Sequence, residues 1–188
     1  MSDIVSVDSR TVFEGNYEIM IQDIKNSDGS VSTLKYLKRY IGSEAIVHLP
    51  NQVTVMRRAF ENNCTITKLI IPPVIDIDEE AFTNCNNLQS IFCENGVVNS
   101  LTIGDSAFQS CKSLKEIEFP VEGYVKIGED AFSGCENLRE LDLPKSIFSV
   151  GEGAFSLCFN LNKIEVEGDN TQIADDCFKY CNRINTLL

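Results

Sequence analysis

Carboxylates outnumber every other group of this sequence that could take part in chemistry. The 188 residues include 28 Asp and Glu against 16 Lys and Arg, which gives a net charge of −12. Residues 75–188 hold twenty of the acids and eight of the bases, whereas residues 1–74 hold eight of each. Nucleic acids and anionic membrane surfaces are bound by basic faces, so this charge argues against both and favours a basic protein partner. No apolar run approaches the roughly 20 residues of a membrane helix, so no membrane insertion is expected.

Two pairs of these acids have the residue types of a glycosidase acid and base: Glu116 with Glu140, and Glu118 with Asp142. Neither pair has a predicted pocket around it, and His48, the one histidine, has no identifiable nucleophile or acid partner. The sequence also lacks a Gly-rich phosphate loop and the Gly-x-Ser-x-Gly and His-Glu-x-x-His motifs. We therefore expect no catalytic residues, no cofactor and no enzymatic activity.

Eight cysteines form the other group of reactive side chains. Five of them lie three residues after a recurring phenylalanine: Cys85, Cys111, Cys135, Cys158 and Cys181. One cysteine at the same offset in each repeat predicts a stack of small buried thiols. Disulfides between neighbouring turns stay open as an alternative, because stacked turns nearly reach the Cα separation of about 5.5 Å that a disulfide needs.

The other three cysteines do not form a metal-binding pattern. Cys64 is displaced by one position, Cys93 takes a core slot of a strand, and Cys177 replaces the alanine of its repeat. The sequence has no Cys-x-x-Cys pair, and no loop has the ligand spacing of an EF-hand. No metal ligands are assigned, and weak binding of Ca²⁺ by exposed acids stays open.

One repeated phrase predicts the elements that position these groups. An Ala-Phe or Cys-Phe pair recurs with phenylalanine spacings of 22, 26, 24, 23 and 23 residues, at Ala59-Phe60, Ala81-Phe82, Ala107-Phe108, Ala131-Phe132, Ala154-Phe155 and Cys177-Phe178. A period in the low twenties, with Leu or Ile at fixed offsets, is typical of a leucine-rich repeat solenoid. The predicted fold class is an α/β solenoid, a right-handed superhelix with a parallel β-sheet on one side and short helical or 3₁₀ turns on the other.

Each predicted strand lies at the Leu-x-Leu-Pro end of its repeat. The first covers residues 45–50, and six later strands end near Ile71, Cys93, Phe119, Leu143, Val166 and Leu188. Seven parallel strands about 4.8 Å apart would form a sheet about 30 Å long. The Ala-Phe segments are expected to be the helical turns, whose dipoles favour acids in the first turn. Nine acids are explained in this way: Asp78, Glu79, Glu80, Asp105, Glu129, Asp130, Glu152, Asp175 and Asp176.

The N-terminal 40 residues lack the repeat. We assign residues 1–40 to an N-terminal segment and cap, and residues 41–188 to the solenoid. Alternating patterns over 17–24 and 31–36, around a turn signal at 26–30, predict a β-hairpin. The hairpin is expected to cover the first solenoid turn, because an open end exposes apolar side chains and unpaired backbone.

The two ends of the sequence suggest where and how the protein acts. The start, Met1 to Ser6, lacks the basic head and apolar stretch of a secretory signal, and unpaired thiols favour the cytoplasm. The sequence stops at Leu187 and Leu188 without a polar cap. Self-association through that end is one expectation, and coverage by a partner, truncation and a tolerated open end are the others.

The clearest copy of the repeat is residues 127–138, Ile-Gly-Glu-Asp-Ala-Phe-Ser-Gly-Cys-Glu-Asn-Leu. Residues 40–43, Tyr-Ile-Gly-Ser, precede the first strand. Over about residues 30–188 the sequence resembles the BspA-type leucine-rich repeat proteins in both features. The resemblance implies a curved parallel-sheet solenoid without catalytic residues. It also implies a family of largely surface or secreted proteins, from bacteria and some protists, linked to adhesion and to binding of host or partner proteins.

Alternation along the predicted strands places two columns of side chains on their outer surface, which we call the strand face. The first column is Ile46, Lys68, Ser90, Glu116, Glu140, Lys163 and Thr186, and the second is His48, Ile70, Phe92, Glu118, Asp142, Glu165 and Leu188. The N-terminal half of this face is partly apolar and the rest is acidic. Acids directly opposite each other on neighbouring strands are destabilising, and their presence beside exposed apolar side chains indicates an interface.

We predict that the strand face binds a protein partner with a basic and apolar patch, anchored by Ile70 and Phe92 and steered by the acids. One alternative is a fragment of a cell-surface adhesin that binds host protein or glycan. Another is an intracellular inhibitor or adaptor of a basic protein. Glycan sites usually offer exposed aromatic rings, and Phe92 is the only one predicted on this face. Finally, the columns could be solvated side chains without a partner.

Overall fold

The computed structural model describes the backbone of residues 5–26, 28–96 and 100–187, and the side chains of these ranges except at 5–8 and 186–187. All regular secondary structure in these residues is β-strand. The strands are β1 (Val5–Glu14), β2 (Tyr17–Lys25), β3 (Val31–Tyr40), β4 (Ile46–His48), β5 (Thr54–Val55), β6 (Lys68–Ile71), β7 (Val74–Ile77), β8 (Ser90–Cys93), β9 (Ser100–Ile103), β10 (Glu116–Glu118), β11 (Tyr124–Ile127), β12 (Glu140–Leu143), β13 (Ile147–Val150), β14 (Lys163–Val166), β15 (Gln172–Ile173) and β16 (Thr186–Leu187). Ser27 of the expected turn and Leu188 of the last expected strand lie outside the described residues.

From β3 onward the strands alternate between two sides of the molecule. The odd-numbered strands continue a nine-stranded sheet, in the order β1-β2-β3-β5-β7-β9-β11-β13-β15, which we call the rear sheet. The even-numbered strands form a four-stranded sheet, β4-β6-β8-β10, and a three-stranded sheet, β12-β14-β16. The hydrogen-bonded neighbours within the repeats are parallel, so the chain forms a β-solenoid in which each coil adds one strand to each side.

Two features of the sheets differ from the sequence prediction. The expected single sheet of seven strands is not found, because the strand face is divided between β10 and β12. The rear sheet is the second difference, since only turns and no strands were predicted on that side of the solenoid. These strands bury alternate apolar side chains, as β7 does with Ile75 and Ile77. Ile75 and Ile77 belong to one hydrophobic core together with Leu69 and Ile71 of β6, so the two sides of the solenoid share their interior.

A stack of aromatic rings runs through this interior. Consecutive rings of the repeat phenylalanines have centroids 4.3 to 5.8 Å apart and planes within 19° of each other, in the order Phe60, Phe82, Phe108, Phe132, Phe155 and Phe178. The four central rings are fully buried. One phenylalanine per repeat therefore fills the same volume in every coil, which explains the regular spacing in the sequence.

The segments around these phenylalanines are turns, and no helix occurs among the described residues. Around Phe82, the backbone is left-handed at Glu80 (φ 58°) and at Asn84 (φ 61°). The N–H groups of Glu80, Phe82 and Asn84 each donate to a carbonyl of the next coil, at 2.7 to 3.0 Å. An α-helix would direct these donors to its own carbonyls four residues earlier, so stacking of coils replaces the expected helical turns.

Because these segments are not helices, a helix dipole cannot explain why acids precede each Ala-Phe pair. The Asp78 carboxylate accepts a hydrogen bond from the N–H of Glu79 at 2.9 Å, within its own turn. The Asp105 carboxylate accepts one from the N–H of Glu129 at 2.8 Å, in the next coil. Glu80 instead pairs with two bases, Arg57 at 3.1 Å and Arg58 at 2.5 Å. The structure thus uses these acids to satisfy turn backbone and to bridge neighbouring coils.

The N-terminal segment continues the rear sheet. Strands β2 and β3 pair antiparallel as the expected hairpin, β1 adds a third antiparallel strand that was not expected, and β3 pairs parallel with β5. Tyr40 stacks on Phe60 with centroids 5.0 Å apart, and Tyr17 contacts Tyr40 at 5.7 Å. The Tyr17 hydroxyl also donates to the carbonyl of His48 at 2.6 Å. The segment therefore extends both the sheet and the aromatic stack, and its role as a cap stays a prediction.

Candidate protein-binding face

The strand register aligns the predicted columns within each of the two sheets of the strand face. In the four-stranded sheet the aligned sets are Ile46, Lys68, Ser90 and Glu116, and His48, Ile70, Phe92 and Glu118. In the three-stranded sheet Glu140 pairs with Lys163, and Asp142 with Glu165. Thr186 pairs with Lys163 through its backbone, but its side chain and all of Leu188 lie outside the described residues. We call the twelve residues from Ile46 to Glu165 in these sets the column residues.

The side chains of the column residues are exposed to different degrees. Ile46 is 52% exposed, and the side chains of His48, Glu116, Glu118, Glu140 and Asp142 are exposed as well. Lys68, Ile70, Ser90, Phe92, Lys163 and Glu165 are partly buried. The two predicted anchors are therefore less exposed than the acids around them.

Phe92 owes part of its shielding to a neighbouring base. The Nζ atom of Lys68, on the adjacent strand β6, lies 5.8 Å from the centroid of the Phe92 ring. This distance is within the range of a cation–π interaction, to which an ammonium group and a ring face contribute about 0.5–1 kcal/mol at exposed sites. The apolar half of the strand face therefore already holds one cation, the Lys68 ammonium group, over its aromatic ring.

A lysine neutralises part of the acidic half. Lys163 forms an ion pair with Glu165 at 2.5 Å on the same strand, β14. The hydrogen bond and charge of Glu165, followed by the charges of Glu140 and Asp142, raise the pKa of Lys163 above its ordinary value. The acids of β12 and β14 thus share one cation, which stays protonated at neutral pH.

Between β10 and β12 the strands are neighbours but lack the ladder found at the other junctions, and we call this open junction the seam. At the other junctions, the residue one position before each strand donates its N–H to the preceding coil, as Lys115 does to Gln89 at 2.9 Å and Asn162 to Arg139 at 2.9 Å. Arg139, which would donate across the seam, makes no such backbone bond within the described residues. The structure pairs β10 with β8 and β12 with β14, but not β10 with β12.

The seam coincides with the two acidic pairs that the sequence places opposite each other, Glu116 with Glu140 and Glu118 with Asp142. Within the described residues, none of these four carboxylates has a hydrogen bond or ion pair. Like charges directly opposite each other weaken strand pairing. We therefore attribute the interruption of the face to repulsion between the acids of β10, which have no cation nearby in the described part of the chain, and those of β12, which also interact with Lys163.

A groove of about 260 Å³ lies at the seam. Its lining combines apolar side chains with three carboxylates: Phe92, Cys93, Asn95, Ile117, Glu118, Phe119, Val121, Asp142, Pro144 and Glu167. The column residues Phe92, Glu118 and Asp142 meet here, which joins the apolar and acidic halves in one place. Val121 (54% exposed) and Glu167 were missed from sequence, because they follow the strands and have no place in the alternation.

Four of the five stacked cysteines behind this face are buried, as predicted, and Cys181 is partly buried. All eight cysteines are free thiols, and five donate to the carbonyl of the repeat phenylalanine one coil earlier, such as Cys85 to Phe60 at 3.1 Å and Cys111 to Phe82 at 3.3 Å. Burial raises the pKa of the Cys135 thiol to about 12. The Cys135 thiol is therefore protonated at neutral pH and serves as a hydrogen-bond donor in the core.

The remaining candidates for chemistry do not converge. Among the described residues, no three His, Cys, Asp or Glu side chains come together as metal ligands. No helix in the described part of the chain is long and apolar enough to cross a membrane. On the rear sheet, however, sequence reasoning missed an exposed aromatic pair, Tyr124 and Phe148, whose rings stack with centroids 4.8 Å apart. Alternation over β11 would have placed Tyr124 outside, but it could not have placed Phe148, because the register shifts in β13 and both Ile147 and Val150 are buried.

Known proteins share the repeat and the fold. The sequence profile described as "BspA type Leucine rich repeat region" matches residues 53–185 in six copies. No curated protein sequence matches the chain significantly.

Three solved structures illustrate the similarity of the fold. They are a leucine rich cell surface protein from Faecalibacterium prausnitzii (22% identity, TM-score 0.65), the leucine rich repeat protein TpLRR from T. pallidum (24%, 0.67) and a leucine-rich repeat protein from Bacteroides ovatus (24%, 0.63). These matches cover 96%, 95% and 98% of the chain, and 55%, 81% and 46% of the respective proteins. The chain thus spans about half the length of two of the three.

Proposed function

The chain belongs to the BspA-type leucine-rich repeat family, and from this premise we propose that it is a non-catalytic protein-interaction module whose partner docks on the strand face. Repeat proteins present long, side-by-side surfaces of this kind, and leucine-rich repeats are generally binding modules. The observation that carries the proposal is the seam, where Glu118 and Asp142 line a groove together with the partly exposed ring of Phe92.

Electrostatics favour a basic partner. The chain has a net charge of −12, and the acids of β10 and β12 project from strands, where turn backbone does not require them. A concentrated acidic patch accelerates encounter with a basic surface and fixes its orientation. The acids of the strand face would thus supply steering and register to the complex.

The apolar part of the face would supply the anchor. Ile46 is 52% exposed at one end of the first column, and Phe92 borders the groove at the seam. Aromatic residues in shallow, partly enclosed positions are the usual hot spots of protein interfaces. We therefore place the centre of the interface at Phe92, with the remaining column residues around it.

A second candidate function is that of one part of a larger surface protein. It is favoured by the cell surface protein from F. prausnitzii, whose fold this chain shares while spanning 55% of its length. In such a protein the rear sheet, with its exposed pair Tyr124 and Phe148, would offer a second surface for host protein or glycan. Binding of a protein to the strand face is compatible with this setting.

Two structural expectations accompany the proposal and stay predictions. One is the division into an N-terminal cap over residues 1–40 and a solenoid over residues 41–188. The other is self-association through the last coil, which light scattering across a range of concentrations would detect.

The proposed interface is tested by capture of partners from cell extract and from culture medium with immobilised protein. The parent chain is compared with Phe92→Ala and with Glu118→Lys/Asp142→Lys. A control, Glu129→Lys/Glu152→Lys, makes the same change of charge at exposed acids of the turns. We expect a protein that the parent and the control capture and both strand-face variants lose. Equal capture by all four proteins would contradict the proposal and place the site elsewhere.

A further inference from the structure

The two junctions of β12 differ in whether a cation is present. At the junction with β14, Asp142 lies opposite Glu165, an acidic pair like those at the seam, and the strands are hydrogen-bonded. There Lys163 binds Glu165 at 2.5 Å and attracts Glu140 and Asp142. At the junction with β10 no base takes this role among the described residues, and the strands are unpaired. The acids of β12 and β14 therefore share a cation, whereas Glu116 and Glu118 of β10 have none within the described residues.

The seam groove has the chemistry to accept such a cation from outside. Carboxylates of Glu118, Asp142 and Glu167 surround it, and Phe92, Phe119 and other apolar side chains line it. This combination suits the aliphatic stem and charged head of a lysine or arginine, and an arginine can also bond two carboxylates at once. At about 260 Å³ the groove is smaller than the roughly 300–1,000 Å³ of most small-molecule sites, so a single side chain fits it better than a whole ligand.

We propose that the seam is the recognition site for a basic side chain flanked by apolar residues in an extended segment of the partner protein, and that its binding closes the β10–β12 junction. This inference rests on the proposed function of the strand face and specifies its partner. The incoming charge neutralises Glu118 and Asp142, as Lys163 does for Glu165 on β14. Strands β10 and β12 then pair, and the strand face becomes continuous. Recognition of a base and completion of the sheet are one event.

The test uses two fluorescein-labelled synthetic peptides, both seven residues long. The first alternates leucine and arginine, and the second replaces each arginine with uncharged citrulline. Binding to the full chain is followed by fluorescence anisotropy at two salt concentrations. The variants are Glu118→Gln/Asp142→Asn at the seam and Glu129→Gln/Glu152→Gln as the control, which changes the net charge equally at exposed turn positions. A thermal melt of each protein verifies folding.

We expect the seam variant to bind the arginine peptide at least tenfold more weakly than the parent, and the control to bind within twofold of the parent. The citrulline peptide should bind the parent at least tenfold more weakly than the arginine peptide. Amide exchange at 116–118 and 140–143 should slow when the arginine peptide binds, because the strands pair. Failure of the parent to bind the arginine peptide, or an equal loss in the seam variant and the control, overturns the inference.

Amide exchange also separates failure of this inference from failure of the proposed function. If the arginine peptide protects β6 and β8 and binds the seam variant as tightly as the parent, the strand face is a binding surface but the seam is not its recognition site. If the peptide protects the rear sheet and leaves the strand face unchanged, both the proposed function and the inference are wrong.

Discussion

Strand β12 presents the same two acids to both of its neighbouring strands, but it pairs with only one of them. Toward β14, Glu140 and Asp142 lie opposite Lys163 and Glu165, and a parallel ladder forms. Toward β10 they would lie opposite Glu116 and Glu118, and no ladder forms. Because β12 and its own side chains are the same at both junctions, the difference in pairing must come from the neighbouring strands.

The ring stack and the cysteine stack are alike at both junctions, although at the seam Phe119 also packs edge-on against Phe132 at 6.3 Å. The ring of Phe132 lies 5.1 Å from that of Phe108, beneath the seam, and 5.2 Å from that of Phe155, beneath the closed junction. Cys135 and Cys158 donate equally, at 3.5 Å each, to the phenylalanine carbonyl one coil earlier. The ring stack thus holds the coils at nearly the same spacing at both junctions, and we attribute the difference in pairing to the charges outside.

The largest effect should come from removing the interior that both junctions share. Phe132→Ala deletes a fully buried ring that is stacked on both sides, which should cost about 3–5 kcal/mol of the free energy of unfolding. Urea denaturation followed by circular dichroism measures the loss. Phe92→Ala is the matched control, because its ring is partly exposed and should cost about 1 kcal/mol or less. Similar losses in the two variants would refute the role of the aromatic stack.

A second effect on the interior should appear at alkaline pH. Burial raises the pKa of Cys135 to about 12, above the value of about 8.5 for an unfolded thiol. Since the folded state holds its proton more tightly, this contribution is complete below pH 8.5 and is lost as the pH rises toward 12. Each such thiol should lower the free energy of unfolding by up to about 1.4 kcal/mol per pH unit in that window.

Thermal melts between pH 8 and 10.5 test this expectation. The melting temperature of the parent should fall with pH, and that of Cys135→Ala should fall less steeply. An equal slope in both proteins would show that the buried thiol does not contribute to alkaline unfolding.

Features that depend on a single strand could be predicted from the sequence, whereas features that depend on contacts between coils could not. A phenylalanine and a cysteine recur at fixed positions in the repeats, as Phe132 and Cys135 do in one of them, and this recurrence predicted the two stacks. Alternation around Leu141 predicted which acids face outward, because that pattern depends on one strand alone. The turns were mispredicted as helices, because their N–H groups, such as that of Phe82, bond to the next coil. The accepting carbonyl lies in another coil, so the sequence of the turn alone does not reveal it.

The seam was anticipated only in part. The sequence shows that Glu118 and Asp142 lie opposite each other and that this is unfavourable. Whether repulsion merely weakens the ladder or opens it depends on the cation at Lys163 and on its absence at the neighbouring junction, which requires the strand register in three dimensions. The groove residues Val121 and Glu167 follow their strands and could not be assigned by alternation.

Removing the cation from the closed junction should make it resemble the seam. Lys163→Gln abolishes the ion pair with Glu165 and leaves that acid opposite Asp142 without compensation. Because both partners are partly exposed, we expect a loss of only about 0.5 kcal/mol in the free energy of unfolding. Amide exchange at 163–166 should nevertheless become faster. The control Lys112→Gln removes an ion pair with Glu136 in a turn and should leave that exchange unchanged. Unaltered exchange in Lys163→Gln would contradict the comparison.

Neutralising the seam should have a smaller effect of opposite sign. Glu118→Gln/Asp142→Asn removes the repulsion between β10 and β12, so we expect the free energy of unfolding to rise by a few tenths of a kcal/mol, up to about 1 kcal/mol. Urea denaturation at low salt measures the gain, and added salt should reduce the difference from the parent because it screens exposed charges. Destabilisation by these substitutions would show that the acids contribute favourably to the free protein.

The most direct test of the central claim is residue-level amide exchange by NMR in the free parent chain and in Glu118→Gln/Asp142→Asn. We expect the amides of 116–118 and 140–143 that face the seam to exchange faster than those of 68–71 and 90–93 in the parent, and the two substitutions to slow the exchange at the seam without changing it elsewhere. Exchange at the seam as slow as in the paired strands of the parent, or unaffected by the substitutions, would show that charge repulsion does not open the strand face.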